Sequence, residues 1–452
     1  MSITIQTFIL LFVINKTIFI IYKLSTFLVF ILKARIIIVK VIYKRSTFMS
    51  YQKKLVQRNV SIMWFANFFV AASMTMIMPF ISLYIQSFGA FSDDYVQTWS
   101  GLIFGVTFVT AFIFSPIWGR IGDKFGRKKI LIISASGLAI TVLLMGFATS
   151  VLQLFFLRLL MGIFTGFVPM SQALISVQTP KEIAGRVLGT LQTGSVSGTL
   201  LGPLFGGFLA DLFGYSFTFK LVSITLFISA FLVTFGLKEM QVSISDPDYA
   251  KFYSRKDVIL HILRDPILLI IMLMSALVQI AHFSIQPILP LFVEEIRGPS
   301  QIALYSGLAF SAAGLGNLLM ARRWGKLGDK VGYVKVIITL LFLVGLVYFP
   351  LAFVTGFIQL LILRFLIGLT LGGIGPLRVA YIRERAPIEM QGEVLGYNTS
   401  LRFLGNMIGP ALGGFVASFY GFSGVFFVTS GLLLLGGVIT LLTFMKQKSI
   451  QT

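Results

Sequence analysis

The chain has no cysteine and few residues of the kinds that carry chemistry in soluble enzymes. Among its 452 residues there are only two histidines, His261 and His282, and only 12% of residues are charged. Without cysteine, disulfides and thiol catalysis are excluded, and two isolated histidines without an acidic cluster give no support for a metal site. The phosphate-binding sequence Gly-x-x-x-x-Gly-Lys-Ser/Thr is also absent. We therefore expect no enzyme, no metal, no cofactor and no direct use of ATP.

Acidic residues are scarce as well. The chain has 37 lysines and arginines against 16 aspartates and glutamates, a formal net charge of +21. Such a charge would suit nucleic acid if it were concentrated in a soluble domain. The basic residues are instead dispersed among short segments between apolar stretches, and most fall on one side of a membrane when the chain is threaded from a cytoplasmic start. This asymmetry follows the positive-inside rule, so we expect no nucleic-acid partner and both termini in the cytoplasm.

Long apolar stretches are what the chain has in abundance, since 57% of its residues are hydrophobic. A transmembrane helix needs about 20 mostly apolar residues, and charged residues divide the sequence after Tyr51 into twelve such stretches. The predicted spans are 60–88, 98–118, 130–149, 152–176, 187–209, 217–237, 266–292, 302–321, 336–355, 358–381, 393–417 and 423–445. The sequence therefore predicts an all-α integral membrane protein with twelve transmembrane helices.

The two halves of the sequence repeat each other. The segment from Gly119 to Gly126 returns as Gly325 to Gly332, 206 positions later (325 − 119), and Arg158 returns as Arg364 at the same interval. A period of this length is too long for a solenoid and indicates two homologous halves. We predict six-helix bundles at 49–237 and 266–452. The segment 238–265 between them is expected to be a cytoplasmic linker, either a strap along the membrane surface or a flexible tether.

Residues 1–48 have no counterpart in this repeat. They contain seven basic residues but no acidic residue, glycine or proline, and Lys16, Lys23 and Lys33 interrupt their apolar runs. We interpret them as an upstream extension read from the wrong start codon, with unusual membrane anchors as the alternative. A cleaved signal peptide is disfavoured because no small-x-small site follows the apolar run.

A chain that begins at Met49 is expected to insert into the membrane and to be as active as the full chain, because the repeat starts after this residue. Membrane level and activity of the two chains, compared side by side, test this expectation. A collapse of either property in the shortened chain would identify residues 1–48 as true anchors.

The first motif is the charged segment Gly119-Arg-Ile-Gly-Asp123-Lys-Phe-Gly126-Arg127, which has a degenerate copy around Asp329. Gly119 and Gly126 are expected to allow the tight reversal between two spans. Asp123 is expected at the membrane surface, where the start of the eleventh helix near Gly392 carries partial positive charge. Attraction between these two groups would hold this side of the protein closed. The alternative is that Asp123 only solvates a turn and the basic residues only set topology.

The second motif lies in the fifth predicted span and is repeated in the eleventh, 207 positions later (405 − 198). Its residues are Gly198, Gly202, Pro203, Gly206 and Gly207. Glycines three or four residues apart let a neighbouring helix approach closely, and proline removes a helical hydrogen bond, which predicts a bend. Together they predict a hinge, with ordinary packing of small residues as the alternative.

The third motif is Arg158-x-x-x-Gly162 in the fourth predicted span, whose copy places Arg364 in the tenth. A charged side chain inside the membrane is costly and by default marks a functional path. The alternative is a snorkelling arginine or one satisfied by backbone carbonyls.

Together these motifs resemble those of the major facilitator superfamily, and within it the twelve-helix drug:proton antiporters. The resemblance extends from about Met49 to the C-terminus, although Met161 stands where the family carries a glutamine. It implies that Asp123 and Arg127 act in a conformational latch with Gly119, Gly126 and Asp329. It implies that the glycine motif of the fifth span favours export over uptake. It also implies that Arg158 modulates proton transfer or attracts an anionic group of a substrate.

The sequence does not identify the proton carrier, because no acidic residue lies in the middle of a predicted span. The stretch Phe68–Leu83 of the first span, where many relatives carry an acid, is wholly uncharged. A carboxylate partly withdrawn from water can exchange protons near neutral pH, and histidine titrates there in any case. The candidates are Asp94, Glu294, Glu295 and His282.

Spans 1, 4, 7 and 10 are expected to line a central cavity, and the candidate lining residues are Asn67, Met74, Gln279, Phe283 and Gln286. Methionine and phenylalanine make adaptable apolar surfaces for varied guests, although at helical spacing they also serve as simple packing residues.

We therefore expect a monomer in the cell membrane that exports amphiphilic drugs or toxic compounds by alternating access. Its partners are lipid, protons and a small substrate, and the proton gradient drives it without a cofactor. An exporter of a metabolite such as a sugar or amino acid is the main alternative. A proton-driven importer and a non-transporting membrane sensor are the others.

Overall fold

The computed structural model describes residues 50–179, 181–239, 254–387 and 390–451, and in these ranges the chain is helical without strands. Val56–Thr452 form one compact unit, whereas the other unit, Met1–Leu55, lies almost entirely outside the described residues. The predicted extension 1–48 and residues 240–253 of the predicted linker are thus outside the described part of the chain. The described end of the linker contains the helix Arg255–Arg264, capped by Ser254.

Each half contains six membrane spans, which we number along the chain. Spans 1 to 6 are Ser50–Met76 with Ile81–Gln86, Asp93–Phe125, Arg127–Met145, Val151–Ile163 with Phe167–Gln178, Lys181–Phe213, and Tyr215–Phe231 extended by the π-helix Leu232–Gly236. Spans 7 to 10 are Pro266–Ser284 with Leu289–Arg297, Ile302–Val331, Tyr333–Tyr348 extended by the 3-10 helix Phe349–Phe353, and Phe357–Arg385. Spans 11 and 12 share the continuous element Gln391–Gln451 and meet at Gly421.

The described residues confirm the predicted twelve spans. By length and hydropathy eleven helical stretches can cross a membrane, and the last of them, Glu393–Gln447, has 55 residues. Two crossings fit into this length, because one needs about 20 residues. Gly421 breaks the helix with a φ of 67°. It occupies the position equivalent to Gly214, which separates spans 5 and 6 with a φ of 81°. A positive φ favours glycine, so both halves turn on the same residue type.

Three spans are interrupted where the sequence predicts continuous helices. Spans 1, 4 and 7 each break into two helices, at residues 77–80, 164–166 and 285–288. Pro79 and Pro287 lie within two of these breaks, and proline removes a helical donor and crowds the preceding turn. Span 5 continues as one helix through Pro203, and the last element continues through Pro410. The interruptions therefore lie in the spans expected to line the cavity.

The two sides of the membrane differ in charge. Gly126 and Gly332, with φ angles of 98° and 101°, join span 2 to span 3 and span 8 to span 9. Lysines and arginines flank both turns, at Lys124, Arg127, Lys128, Lys330 and Lys335. We call this side the basic face and the opposite side, where span 5 turns into span 6, the distal face.

Each half fastens its helices near the basic face at equivalent positions but with different chemistry. In the first half Asn59 of span 1 donates to the side chain of Gln178 at 2.9 Å and to the carbonyl of Lys238 at 2.7 Å. In the second half the equivalent of Asn59 is Asp265, which forms an ion pair with Arg385 at 2.8 Å. An amide pair in one bundle thus corresponds to a charged pair in the other. Each pair joins the start of the first span of its half (span 1 or 7) to the end of the fourth (span 4 or 10).

Candidate functional site

The buried arginines of the third motif occupy equivalent positions in the two halves. The Nε atom of Arg158 donates to the carbonyl of Ile103 at 3.3 Å, and that of Arg364 donates to the carbonyl of Ala309 at 3.2 Å. Both residues are buried, with exposed fractions of 6% and 1%. Backbone carbonyls therefore satisfy part of each guanidinium, as the alternative interpretation of the motif expected. The Nη1 atom of Arg364 nevertheless has no partner among the described residues, so part of its charge stays available.

Aromatic faces support the same two arginines. The guanidinium carbon of Arg158 lies 5.5 Å from the ring centre of Phe104, and that of Arg364 lies 5.6 Å from the ring centre of Phe310. A cation over an aromatic ring is stabilised by the ring's quadrupole. The repeat thus extends from the sequence to the geometry of individual contacts.

The polar cavity candidates Asn67, Gln279 and Gln286 make hydrogen-bond contacts inside their own bundles. Asn67 accepts a hydrogen bond from Ser171 of span 4 at 2.8 Å, and Gln279 donates to Asn406 of span 11 at 2.7 Å. The Nε2 atom of Gln286 lies 3.1 Å from the Nε2 atom of His282, which precedes Gln286 by four residues. Buried polar atoms without a described partner remain on Asn67, His282 and Gln286. These three residues therefore present unsatisfied polar atoms in the protein interior.

The two apolar cavity candidates, Met74 and Phe283, make packing contacts. Met74 is half-buried against the core of the first bundle. Phe283 contacts Phe108 of span 2 edge to face, with 5.4 Å between the ring centres. Phe283 thus joins the two halves.

The predicted latch is described only in part. The side chain of Asp123 and residue Gly392 lie outside what the structure describes, so their attraction stays a prediction. Gly126 adopts the positive φ that the turn requires. The expectation for Gly119 is wrong, because it lies inside the continuous helix of span 2, six residues before the helix ends at Phe125. Asp329 accepts a hydrogen bond from the hydroxyl of Tyr333 at 2.8 Å.

Glu239, which the sequence analysis did not single out, caps span 3 at this turn. Its carboxylate accepts from the backbone N–H groups of Arg127 at 2.7 Å and Lys128 at 3.2 Å. A carboxylate at a helix N-terminus is stabilised by the unpaired N–H groups and the helix dipole. Arg127 in turn donates to the carbonyl of Ala173 in span 4 at 2.5 Å. These contacts all lie within the first half.

The glycine motifs bring one pair of helices into backbone contact in each half. A Cβ atom on Gly198, Gly202 or Gly206 of span 5 would overlap atoms of span 1, among them the carbonyl oxygens of Phe68 and Met76. In the second half Gly405 and Gly409 of span 11 pack on span 7, where a Cβ would lie 2.5 Å from the carbonyl oxygen of Ala276 and 2.7 Å from that of Ile280. Close packing of small residues therefore holds each bundle together.

Gly207 of this motif and further glycines form two seams between the halves. Gly207 of span 5 packs on the carbonyl of Ala303 in span 8, and Gly307 of span 8 packs on the carbonyl of Pro203. At the second seam, Gly101 of span 2 packs on the carbonyl of Pro410 in span 11. These residues all lie in the distal halves of their helices, so the seams close the distal side of the protein.

Four glycine pairs show that the halves separate toward the basic face. Gly101 and Gly119, Gly189 and Gly207, Gly307 and Gly325, and Gly396 and Gly414 are each 18 residues apart in one helix. Eighteen residues make five turns and about 27 Å of an α-helix, so the members of a pair lie on the same helix face. The distal member of every pair touches the other half, whereas a Cβ on the basic-face member would meet no atom of the described residues within 4 Å.

Carboxylates reinforce the distal closure. Asp211 at the end of span 5 accepts a hydrogen bond from the backbone N–H of Leu304 in the first turn of span 8 at 2.8 Å. Glu294 at the end of span 7 accepts from the side chain of Gln86 in span 1 at 3.3 Å. Both bonds connect the two halves. Glu294 was a sequence candidate, and Asp211 was missed because nothing local distinguishes it from other acids at helix ends.

The remaining charged candidates lie at the distal surface. Asp94 lies in the first turn of span 2, which begins earlier than the sequence predicts, and Glu295 is exposed beside Glu294. Neither has a described contact with the other half.

Two bundles that meet at one membrane face and separate toward the other enclose a crevice open to one side, which is the architecture of an alternating-access membrane transporter. The family model described as Major Facilitator Superfamily matches residues 63–321 and 303–450. The chain therefore belongs to the major facilitator superfamily of multi-pass membrane transporters, as the motifs predict.

Curated relatives extend over most of the chain. The chain is 52% identical over 374 residues to the MFS-type transporter YuxJ of Bacillus subtilis (strain 168), covering 83% of this chain and 95% of that protein. It is 39% identical over 379 residues to the multidrug resistance protein MdtG of Rahnella sp. (strain Y9602), covering 84% and 91%. It is 37% identical over 391 residues to MdtG of Klebsiella pneumoniae (strain 342), covering 86% and 94%.

Solved structures share the fold. A bacterial homolog of the human lysosomal transporter Spinster, in an inward-facing and occupied conformation, aligns with a TM-score of 0.71 at 15% identity, over 88% of this chain and 98% of that one. A D-xylose–proton symporter aligns with a TM-score of 0.69 at 14% identity, over 85% and 97%. At these identities the likeness concerns the fold alone.

Proposed function

We propose that the protein exports amphiphilic drugs or other toxic compounds from the cell in exchange for protons. The observation that carries this proposal is the crevice between the halves, sealed at the distal face by two seams and open at the basic face. Relatives named multidrug resistance proteins, at 37–39% identity over more than 80% of the chain, support drugs as the substrate class.

The orientation follows from charge. Basic residues concentrate on the cytoplasmic side of membrane proteins, so the basic face and both termini belong in the cytoplasm. The crevice then opens toward the cytoplasm, where an exporter collects its substrate. Closing the basic face and opening the distal face would release the substrate outside.

Among the proton candidates the contacts favour Glu294. It lies at the junction of the halves, so a change in its charge acts on the contact that must open. His282 is less suited, because its described polar contact is with Gln286 of its own span and does not connect the two halves. Asp94 and Glu295 lie at the distal surface without a described contact between halves.

Efflux from drug-sensitive cells tests the function. Cells that express the chain are expected to expel a fluorescent cationic dye or a zwitterionic antibiotic, and a protonophore is expected to stop this export. Export that persists with the protonophore present would contradict proton coupling. No export of either compound, from protein shown to be in the membrane, would favour a metabolite exporter.

Single neutralisations test the coupling site. Glu294→Gln is expected to lose most protonophore-sensitive export, whereas Asp94→Asn, Glu295→Gln and His282→Ala are expected to retain more of it. Glu384→Gln, at an exposed acid near the basic face, is the control for loss of one negative charge. Full activity in all four candidate variants would remove these residues from the coupling mechanism.

A further inference from the structure

Two more arginines lie inside the second half and have no described acidic partner. Arg378 belongs to span 10 and Arg402 to span 11. Arg378 has an exposed fraction of only 6%. The Nε atoms of both residues are buried and without a hydrogen-bond partner among the described residues. In this they differ from Arg158 and Arg364, whose Nε atoms donate to backbone carbonyls.

Arg378 lies seven residues before the end of span 10, and Arg402 lies eleven residues after the start of span 11, so both are in the basic-face halves of consecutive helices. Among the acids at the basic face of the second half, Asp265 pairs with Arg385 and Glu393 accepts a hydrogen bond from Tyr397. Buried charges in proteins are normally paired. Arg378 is buried and Arg402 is half-buried, and a negative group would stabilise two cations whose Nε donors are unused.

The fold itself does not require these arginines. The repeat places Ser171 at the position of Arg378 and Ser195 at the position of Arg402, each 207 residues earlier (378 − 171 and 402 − 195). The first bundle thus forms the same helix packing with small neutral side chains at both positions. A purely structural role does not explain why the second half carries these two charges, since the first half packs the same helices without them.

The surroundings are polar and have open space. Arg402 lies one turn from Asn398 and one turn from Asn406, on the helix face that meets span 7. Asn398 accepts a hydrogen bond from Ser275 at 2.6 Å, and Asn406 accepts one from Gln279 at 2.7 Å. Gly375 precedes Arg378 by one turn, and a Cβ there would meet no atom within 4 Å. Both arginines lie toward the basic face, where the crevice is open.

We propose that Arg378 and Arg402 bind an oxyanion group, such as a carboxylate, of a transported compound. This inference rests on the proposed function, because it names the substrate class of the same crevice. A guanidinium presents a rigid fork of donors that matches a carboxylate. The pair therefore selects acidic or zwitterionic amphiphiles over compounds that carry only positive charge.

Binding of a matched pair of fluorescent probes tests the site directly. Dansylglycine carries a carboxylate, and dansylglycinamide is the same molecule with a neutral amide. We expect the purified full chain to bind dansylglycine at least about tenfold more tightly than the amide, as a charged hydrogen-bonded pair provides. Arg378→Ser and Arg402→Ser, which copy the first half of the chain, are expected to lose this preference and to keep the affinity for the amide. Arg378→Lys, which keeps the charge without the fork, is expected to be intermediate.

Several outcomes overturn the proposal. It fails if the serine variants bind both probes as the unchanged chain does, or if they lose both equally while their thermal unfolding is unchanged. Chloride and inorganic phosphate distinguish the source of the anion. If either ion displaces dansylglycine at millimolar concentration and the protein does not transport dansylglycine into inside-out vesicles, the site holds an inorganic anion instead of a substrate.

The binding assay does not depend on export, so it separates this inference from the proposed function. Export of the cationic dye together with equal affinity for the two probes would leave the exporter standing and remove the anion site. Selective binding of dansylglycine without export of any compound would keep the anion site and remove the exporter.

Discussion

Leucine in place of Gly189 is expected to abolish transport while leaving the fold intact. Gly189 lies on the face of span 5 that contacts span 8 at Gly207, five turns away, and a Cβ at Gly189 meets no atom within 4 Å in this state. Alternating access requires the basic face to close in its turn, and span 5 then approaches the other half at this level. A leucine there blocks the approach and holds the crevice open toward the cytoplasm.

Gly207→Leu, at the other end of the same helix face, is expected to hold the crevice open toward the outside. A Cβ on Gly207 overlaps the carbonyl of Ala303, so Gly207→Leu prevents the distal seam from closing. Overpacking of a close contact typically costs about 1–3 kcal/mol, and about 1.4 kcal/mol already changes the ratio of two states tenfold. Both variants should therefore lose transport, but they should accumulate in opposite states.

The absence of cysteine makes this difference easy to measure. A single cysteine at Gln279, a predicted cavity position, can be labelled with a membrane-impermeant maleimide from either side of oriented vesicles. Gly189→Leu should keep labelling from the cytoplasmic side and lose it from outside, and Gly207→Leu should reverse the pattern. Gly431→Leu is the control, because that glycine lies exposed in span 12 with no atom within 4 Å of a Cβ. Normal transport by Gly189→Leu would contradict the inference that the two ends of one helix face close alternately.

The sequence predicted those features that depend on local pattern or on the repeat. Twelve apolar stretches and a tight turn at Gly126 follow from hydropathy and turn chemistry; the twelve spans were confirmed, and Gly126 lies in the turn with a φ of 98°. Gly119 was assigned to the turn from its position in a motif, yet the helix continues six residues beyond it. A hydropathy pattern marks the apolar part of a helix and not its last hydrogen bond, so the helix end was placed too early.

The contacts between halves could not be predicted in the same way. Pro79 lies in a helix break and Pro203 in a continuous helix, although both prolines stand in similar apolar stretches of the sequence. Whether a helix continues through a proline depends on what packs against the freed carbonyl, which is a tertiary property. The partner of Asp211 is 93 residues away in the other half. A transporter adopts both conformations with the same sequence, so the sequence does not predict which face is closed.

Removing the two distal carboxylates is expected to shift the protein toward the state open to the outside. Asp211 accepts a hydrogen bond from the first turn of span 8, and Glu294 accepts one from Gln86 of span 1. Both sites are partly solvated, so each bond stabilises the distal closure by only about 1 kcal/mol. Asp211→Ala and Glu294→Ala, which leave no oxygen to accept these bonds, should each raise outside labelling of the Gln279 cysteine roughly fivefold. The sites have separate partners, so the double variant should give roughly thirtyfold.

The repeat supplies a matched control for Asp211. Its equivalent in span 11 is Ser418, 207 positions later (418 − 211), whose hydroxyl donates to the carbonyl of Phe415 in its own helix at 2.8 Å. Ser418→Ala should therefore leave labelling unchanged, because no bond between the halves is lost. If the double variant labels as the unchanged chain does, the glycine seams alone close the distal face. If Ser418→Ala labels as strongly as Asp211→Ala, the effect comes from loosening of the helix ends and not from the carboxylate. The expected asymmetry would make the seam between spans 5 and 8 the one that charge controls, while the seam between spans 2 and 11 closes by packing of glycine against backbone.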